Sequence, residues 1–154
     1  MTELHVVLAP VGVDVYAVPV DRVRQVVAAP MLTPLVTGPS TVLGLFSLRG
    51  QIVPLLDTSA LLGLGAAEPC AFVLVLQSPE GLVGLTSTAL PERASLGECV
   101  GPSVLSGTDG SYIVGGQVVV LLDLDTLLAG GRNGGERSRR EIARAGVSTN
   151  GVRR

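Results

Sequence analysis

The sequence predicts a mostly β chain built as two pseudo-duplicated subdomains, with short helices only. Three observations carry that expectation. The 154 residues are 47% hydrophobic but 3% aromatic, with 20 glycines and 10 prolines, a balance that suits turns and a Val/Leu/Ile sheet core better than long helices. Residues 50–62 read GQIVPLLDTSALL and residues 116–128 read GQVVVLLDLDTLL, identical at eight positions with an offset of 66. Finally, β-branched runs recur in pairs around turn residues. The length fits one domain with two subdomains inside it.

The elements follow in order. HVVLAPVGVDVYAVPV reads as a hairpin turning near Gly12-Val13-Asp14, because Gly and Asp tolerate the turn and Val favours extended backbone. DRVRQVVAA reads as a short helix capped by Asp21 and stopped by Pro30, with Val20, Val23 and Val27 on its inner side. PMLTPLVTGPSTVLG is expected to be an ordered loop leading into a strand. Two strands then meet near Arg49-Gly50; Pro54, which lacks an N–H, belongs at a strand edge or bulge. Asp57 ends the second strand, and it or Thr58 caps the helical turn TSALLGL. CAFVLVLQSPEGLVGLTSTAL repeats the hairpin around Ser78-Pro79-Glu80-Gly81, and a less patterned segment, PERASLGECVGPSVLSGTDG, leads to SYIVGGQVVVLLDLD and the closing TLLAGG. The folded unit is expected over residues 4–130, with residues 131–154 a basic, disordered tail.

Charge divides along the same line. Residues 1–130 carry four arginines against eleven acidic side chains, a net of -7, whereas the tail carries seven arginines against two glutamates, a net of +5. An acidic body without interleaved aromatics argues against nucleic-acid binding. No opening segment reads as a secretion signal, and no apolar run is long enough to span a membrane. A soluble, cytoplasmic protein without membrane insertion is therefore expected. Cys70 and Cys99 are too few for a disulfide framework and read as buried or half-buried thiols.

Catalytic chemistry finds little support. A duplicated strand ending in Asp is a possible aspartic-protease scaffold, in which two carboxylates share one proton. The second copy, however, reads Asp123-Leu124-Asp125 where the first reads Asp57-Thr58-Ser59. Helix capping accounts for both Asp57 and Asp123, and a hydrolase using Asp57 stays as the alternative. His5 has no second histidine and no Cys or Asp cluster beside it; there is no G-x-S-x-G, no lysine and no filled calcium loop. No catalytic residue, metal site or cofactor is expected. Arg49, one of four body arginines and placed at a turn between apolar strands, can hold the Gln25 region or the Pro-rich loop, or contact a partner.

The stretch Val42-Leu43-Gly44-Leu45-Phe46-Ser47-Leu48-Arg49-Gly50-Gln51-Ile52-Val53-Pro54-Leu55-Leu56-Asp57 resembles the signature of the CheW-like domain family, V-x-G-x-x-N-L-R-G-x-I-x-P-x-x-D. The resemblance extends over Val15 to Val26 and Gly116 to Leu128, covering about residues 4–129. It implies two five-stranded barrel-like subdomains around a shared apolar core, and a noncatalytic adaptor of chemotaxis-type signal transduction. The implied partners are the helical cytoplasmic tip of a chemoreceptor and the regulatory domain of a histidine autokinase, with the protein at membrane-associated receptor arrays. Partner contact is implied for Arg49, Gln25 and Val42; Gly44, Leu48, Gly50, Pro54, Asp57, Gly116 and Asp123 are implied as structural positions. Ser47 stands where the family has Asn, Gln25 where it commonly has Glu, and Leu85-Thr86-Ser87-Thr88 where an apolar pair and Val-Asp are usual. A divergent CheW-like regulatory module of another pathway is the second expectation.

Overall fold

Val-rich strands without polar alternation are the mark of sheet buried on both faces, because successive side chains point to opposite sides. The computed structural model describes residues 3–35, 37, 39–65, 69–103 and 105–129; the expected basic tail lies outside them. The strands are β1 (Leu4–Val11), β2 (Asp14–Pro19), β3 (Val23–Ala28), β4 (Val42–Leu48), β5 (Gln51–Leu56), β6 (Phe72–Ser78), β7 (Gly81–Ser87), β8 (Glu92–Leu96), β9 (Thr108–Val114) and β10 (Gln117–Leu122). Helix α1 spans Thr58–Leu61 and α2 spans residues 124–129.

They form two five-stranded sheets, ordered β8-β1-β2-β10-β9 and β3-β6-β7-β5-β4. The orders match when β1–β2 is set on β6–β7, β9–β10 on β4–β5, and β8 on β3. The sequence duplication is thus real, but the subdomains are not its halves. The first sheet joins β1 and β2 to β8, β9 and β10, and the second joins β3, β4 and β5 to β6 and β7. Each half contributes its first hairpin to one sheet and its last three strands to the other. The repeated phrases supply the joints: β10 runs parallel to β2, and β5 runs parallel to β7.

Each sheet curls toward closure. The chain after β3 returns to the opposite edge, where Thr33 and Leu45 exchange N–H to carbonyl bonds of 2.7 and 2.9 Å. The chain after β8 does the same at β9, where Val100 N–H and Ser111 N–H donate to Ser111 O and Gly101 O, both at 2.8 Å. Barrel-like subdomains are the result.

Three apolar clusters follow. Val6, Ala17, Leu96, Val119 and Leu121 fill the first barrel, and Phe46, Val53, Leu55, Val73 and Val75 fill the second. Between them lies the shared core, which takes Val7, Val18, Leu56, Leu74, Leu76, Leu85 and Leu122 from strands of both sheets. Strand β6 shows the division: Val73 and Val75 point into their barrel, while Leu74 and Leu76 point into the shared core. Burial on both faces is why these strands read as unbroken apolar runs.

Four expectations need correction. DRVRQVVAA is not a helix: Val20–Arg22 makes one 3₁₀ turn, and Val23–Ala28 is β3, paired with β6. Partly buried and exposed positions alternate along it, the period-two pattern of a strand. The segment expected to lack pattern contains β8, whose Leu96 is buried in the first barrel. Pro54 is neither at a sheet edge nor in a bulge, since β5 lies between β4 and β7. Its partner Leu45 turns its N–H and C=O to Thr33, so the missing Pro54 donor faces β7, where the parallel pairing registers only from Leu55. Cys99 is exposed rather than buried; Cys70 is half-buried, and burial pushes its thiol above the ordinary range.

Candidate partner-binding site

The β4–β5 hairpin closes through Leu48 opposite Gln51, leaving Arg49 and Gly50 as a two-residue loop. Both loop residues have positive φ, 53° for Arg49 and 79° for Gly50, as a type I′ turn requires. That turn matches the right-handed twist of the strands, but it suits Gly, Asn or Asp, and a long L side chain there costs about 1–2 kcal/mol. Arg49 is the one non-glycine with positive φ among the described residues. The duplicate hairpin makes the comparison direct: Gly115 and Gly116 close β9–β10 with φ 56° and 80°. The same turn is thus built without strain in one half and with an arginine in the other.

The guanidinium has no hydrogen bond or ion pair among the described residues, and Arg49 is exposed. Exposed Ser47 and 56%-exposed Ile52 stand opposite each other beside it, with exposed Gln51 between Gly50 and Ile52. A cation, two polar side chains and one apolar side chain therefore share a hairpin tip. At the corresponding places in the other half, Ile113 and Val118 face each other, 51% and 56% exposed. Extending the sequence repeat back by three residues aligns Ser47-Leu48-Arg49 with Ile113-Val114-Gly115. That alignment was the available signal for the two tips and for Ile52.

The other singled-out residues separate by role. Gln25 is half-buried on β3 and has no side-chain hydrogen bond among the described residues, so no pair with Arg49 forms. Val42 keeps 9% of its surface and packs in the shared core, which commits its side chain to packing. Leu48 packs partly buried on the second barrel's core. Gly44 lies under the returning strap, where an added Cβ would sit 2.9 Å from Thr33 O. Gly50 and Gly116 complete the two turns.

Asp57 and Asp123 begin the two helices in matching fashion. Asp57 N–H donates to Thr41 O at 2.7 Å, and its Oδ1 accepts from Ser59 N–H at 3.1 Å. Asp123 N–H donates to Gly107 O at 2.8 Å; its carboxylate accepts from Thr126 N–H at 3.3 Å and Thr126 Oγ1–H at 2.7 Å. Those Thr126 bonds, led by the hydroxyl, hold the Asp123 carboxyl below its ordinary range. The two carboxylates serve helices that follow different sheets and share no hydrogen bond. The shared-proton arrangement of an aspartic protease is therefore not built here. Among the described residues, no group of three or more His, Cys, Asp or Glu side chains gathers as a metal site.

The Thr86-Ser87-Thr88 departure has a structural use that sequence reading missed. Thr58 N–H donates to Thr86 Oγ1 at 3.0 Å, and Thr58 Oγ1–H donates to Thr86 O at 2.8 Å, fixing the start of α1 to β7. Ser87 Oγ–H donates to Ala89 O at 2.7 Å. Thr88 N–H donates to Pro10 O at 2.8 Å, while Thr88 Oγ1 accepts from Gly12 N–H at 3.1 Å. The first sheet's opening turn is thereby tied to the end of β7. At the buried Thr58–Thr86 contact the hydroxyls suit because the groups around them need partners.

This pair of strand-exchanged barrels is the architecture of a known scaffold. The crystal structure of scaffolding protein TtCheW from Thermoanaerobacter tengcongensis matches with a TM-score of 0.71 at 18% identity, covering 82% of this chain and 88% of that one. The CheW-like domain model matches residues 5–132, and the chain belongs to that family. Among curated relatives, it is 30% identical over 127 residues to "Chemotaxis protein CheW" of Rhizobium meliloti (strain 1021), covering 76% of this chain and 82% of the relative. It is 25% identical over 129 residues to "Probable chemotaxis protein CheW" of Rhizobium etli, covering 77% and 83%. Among the described residues, no helix is long and apolar enough to cross a membrane.

Proposed function

We propose that the protein is a noncatalytic scaffold of chemotaxis-type signalling, coupling the helical cytoplasmic tip of a chemoreceptor to the regulatory domain of a histidine autokinase. Family membership and the relatives' names support the signalling class. The observation that carries the site is Arg49: an exposed guanidinium without a partner among the described residues, held at a backbone cost in a turn whose duplicate is Gly-Gly. Strain retained without a folding return is the mark of a residue kept for contact. Arg49 is the proposed receptor contact, with Ser47, Gln51 and Ile52 completing the surface and half-buried Gln25 a secondary contact. Action at the cytoplasmic face of receptor arrays follows from those partners.

Reconstitution with the cognate receptor tip and kinase regulatory domain tests the reading. Simultaneous binding of both is expected, and Arg49→Ala is expected to lower receptor affinity by roughly tenfold or more without a comparable loss of stability. Folded protein that binds neither partner refutes the scaffold. Binding of one partner alone favours a regulatory module over a coupler.

A further inference from the structure

At one rim of the shared core, three side chains with no part in the Arg49 surface meet in a cleft. Strands β1 and β8 pair antiparallel, with His5 opposite Ser95 and Val7 opposite Arg93. Alternation puts His5, Ser95 and Arg93 on one face, with Arg93 diagonal to His5 and within reach for a long side chain. Together with Val6, Val20 and Ala94 they line a cleft of about 470 Å³. His5 Nδ1 lies 3.2 Å from Ser95 Oγ. Either tautomer of the neutral ring leaves this pair one donor to offer. If the serine hydroxyl donates to Nδ1, Nε2 carries the ring hydrogen; if Nδ1–H donates, the hydroxyl hydrogen is free.

The charge of the cleft is also unspent. Arg22 is engaged with Asp125 at 3.2 Å, but Arg93 has no hydrogen bond or ion pair among the described residues. Its neighbour Glu92 falls on the opposite face of the strand. A guanidinium and an adjoining donor thus line one cleft on an otherwise acidic body. We propose that this cleft binds the phosphate group of a small molecule, Arg93 taking two oxygens and the His5–Ser95 pair a third. Phosphate presents a further oxygen and more negative charge than a carboxylate, so a guanidinium with a separate third donor beside it favours phosphate.

The sequence contains a single histidine, so the imidazole NMR resonances report on this cleft without assignment. Inorganic phosphate added to the full chain, at fixed pH and with sodium chloride balancing ionic strength, is expected to shift them saturably. Arg93→Ala is expected to weaken the apparent Kd by roughly tenfold or more, and acetate to bind more weakly than phosphate. Arg93 is exposed on the edge strand β8, so the variant should keep its fold; Arg93→Gln, which retains most of the side-chain stem, serves as the second variant if it does not. A shift that fails to saturate, is reproduced by chloride, or is unchanged without the guanidinium overturns the site. Acetate binding as tightly as phosphate overturns the assignment of its ligand.

Discussion

Arg49 is held in place by its neighbours rather than by its own contacts. The type I′ turn is set by the pairing of Leu48 with Gln51 and by Gly50, and the arginine occupies the remaining left-handed position. Arg49→Gly is therefore expected to leave the unfolding free energy within about 1 kcal/mol of the parent, since relief of strain offsets the greater freedom of glycine in the unfolded chain. Chemical denaturation reads this, and a loss above about 2 kcal/mol would show that the arginine supports the fold. Asp123 behaves oppositely, because its carboxylate is used internally. Its folded pKa is depressed by the Thr126 bonds, so its contribution is present above the unfolded carboxylate pKa and is lost as pH falls through the folded value. Asp123→Ala should cost about 1 kcal/mol near neutrality, and parent and variant melting curves should converge in acid. Both capping aspartates were legible from an Asp preceding a Leu-rich turn. The strain at Arg49 was not, because φ is fixed by the hairpin register rather than by residue type.

Among the elements, the strap from β3 to β4 has the tightest demand. Gly44 lets the backbone at Thr33 pass across the strand, and a Cβ there would meet a carbonyl oxygen rather than a yielding side chain. Gly44→Ala is expected to cost about 1–3 kcal/mol; hydrogen exchange should show the Thr33 and Leu45 amides, which carry the bridge, losing protection before those of β6. Protection unchanged at both would mean that the strap moves freely. Hairpins around Gly12-Val13, Arg49-Gly50 and Pro79-Glu80 were legible because turn residues separate β-branched runs. Strand β3 was misread because VDRVRQVV carries apolar residues at both helical and strand spacings, and because half-buried Gln25 and exposed Val26 put residue polarity out of step with its alternating burial. Strand β8 was missed because only Leu96 among its five residues is buried.

At the scale of the whole molecule, strand exchange makes the two halves interdependent. Neither half holds a complete sheet, and the shared core takes side chains from both. Residues 1–65 and 69–129 expressed separately are each expected to be unfolded by circular dichroism, and the intact chain to unfold in one cooperative transition. A separately folded half, or two transitions matching the two barrels, would contradict that coupling. The Thr88–Pro10 and Thr58–Thr86 bonds belong to the same coupling, since each joins segments from different halves of the chain.

The β class, the duplication, the capping aspartates and the family were all legible in the chain alone, because turn chemistry, apolar runs and a long contiguous signature are local properties. Only the three-dimensional arrangement shows which strands share a sheet, that Val42 is core while Arg49 is exposed, and that His5, Arg93 and Ser95 line one cleft. Those outcomes depend on pairing between segments as much as 90 residues apart. No local pattern specifies a register between edges that meet only when the barrels close.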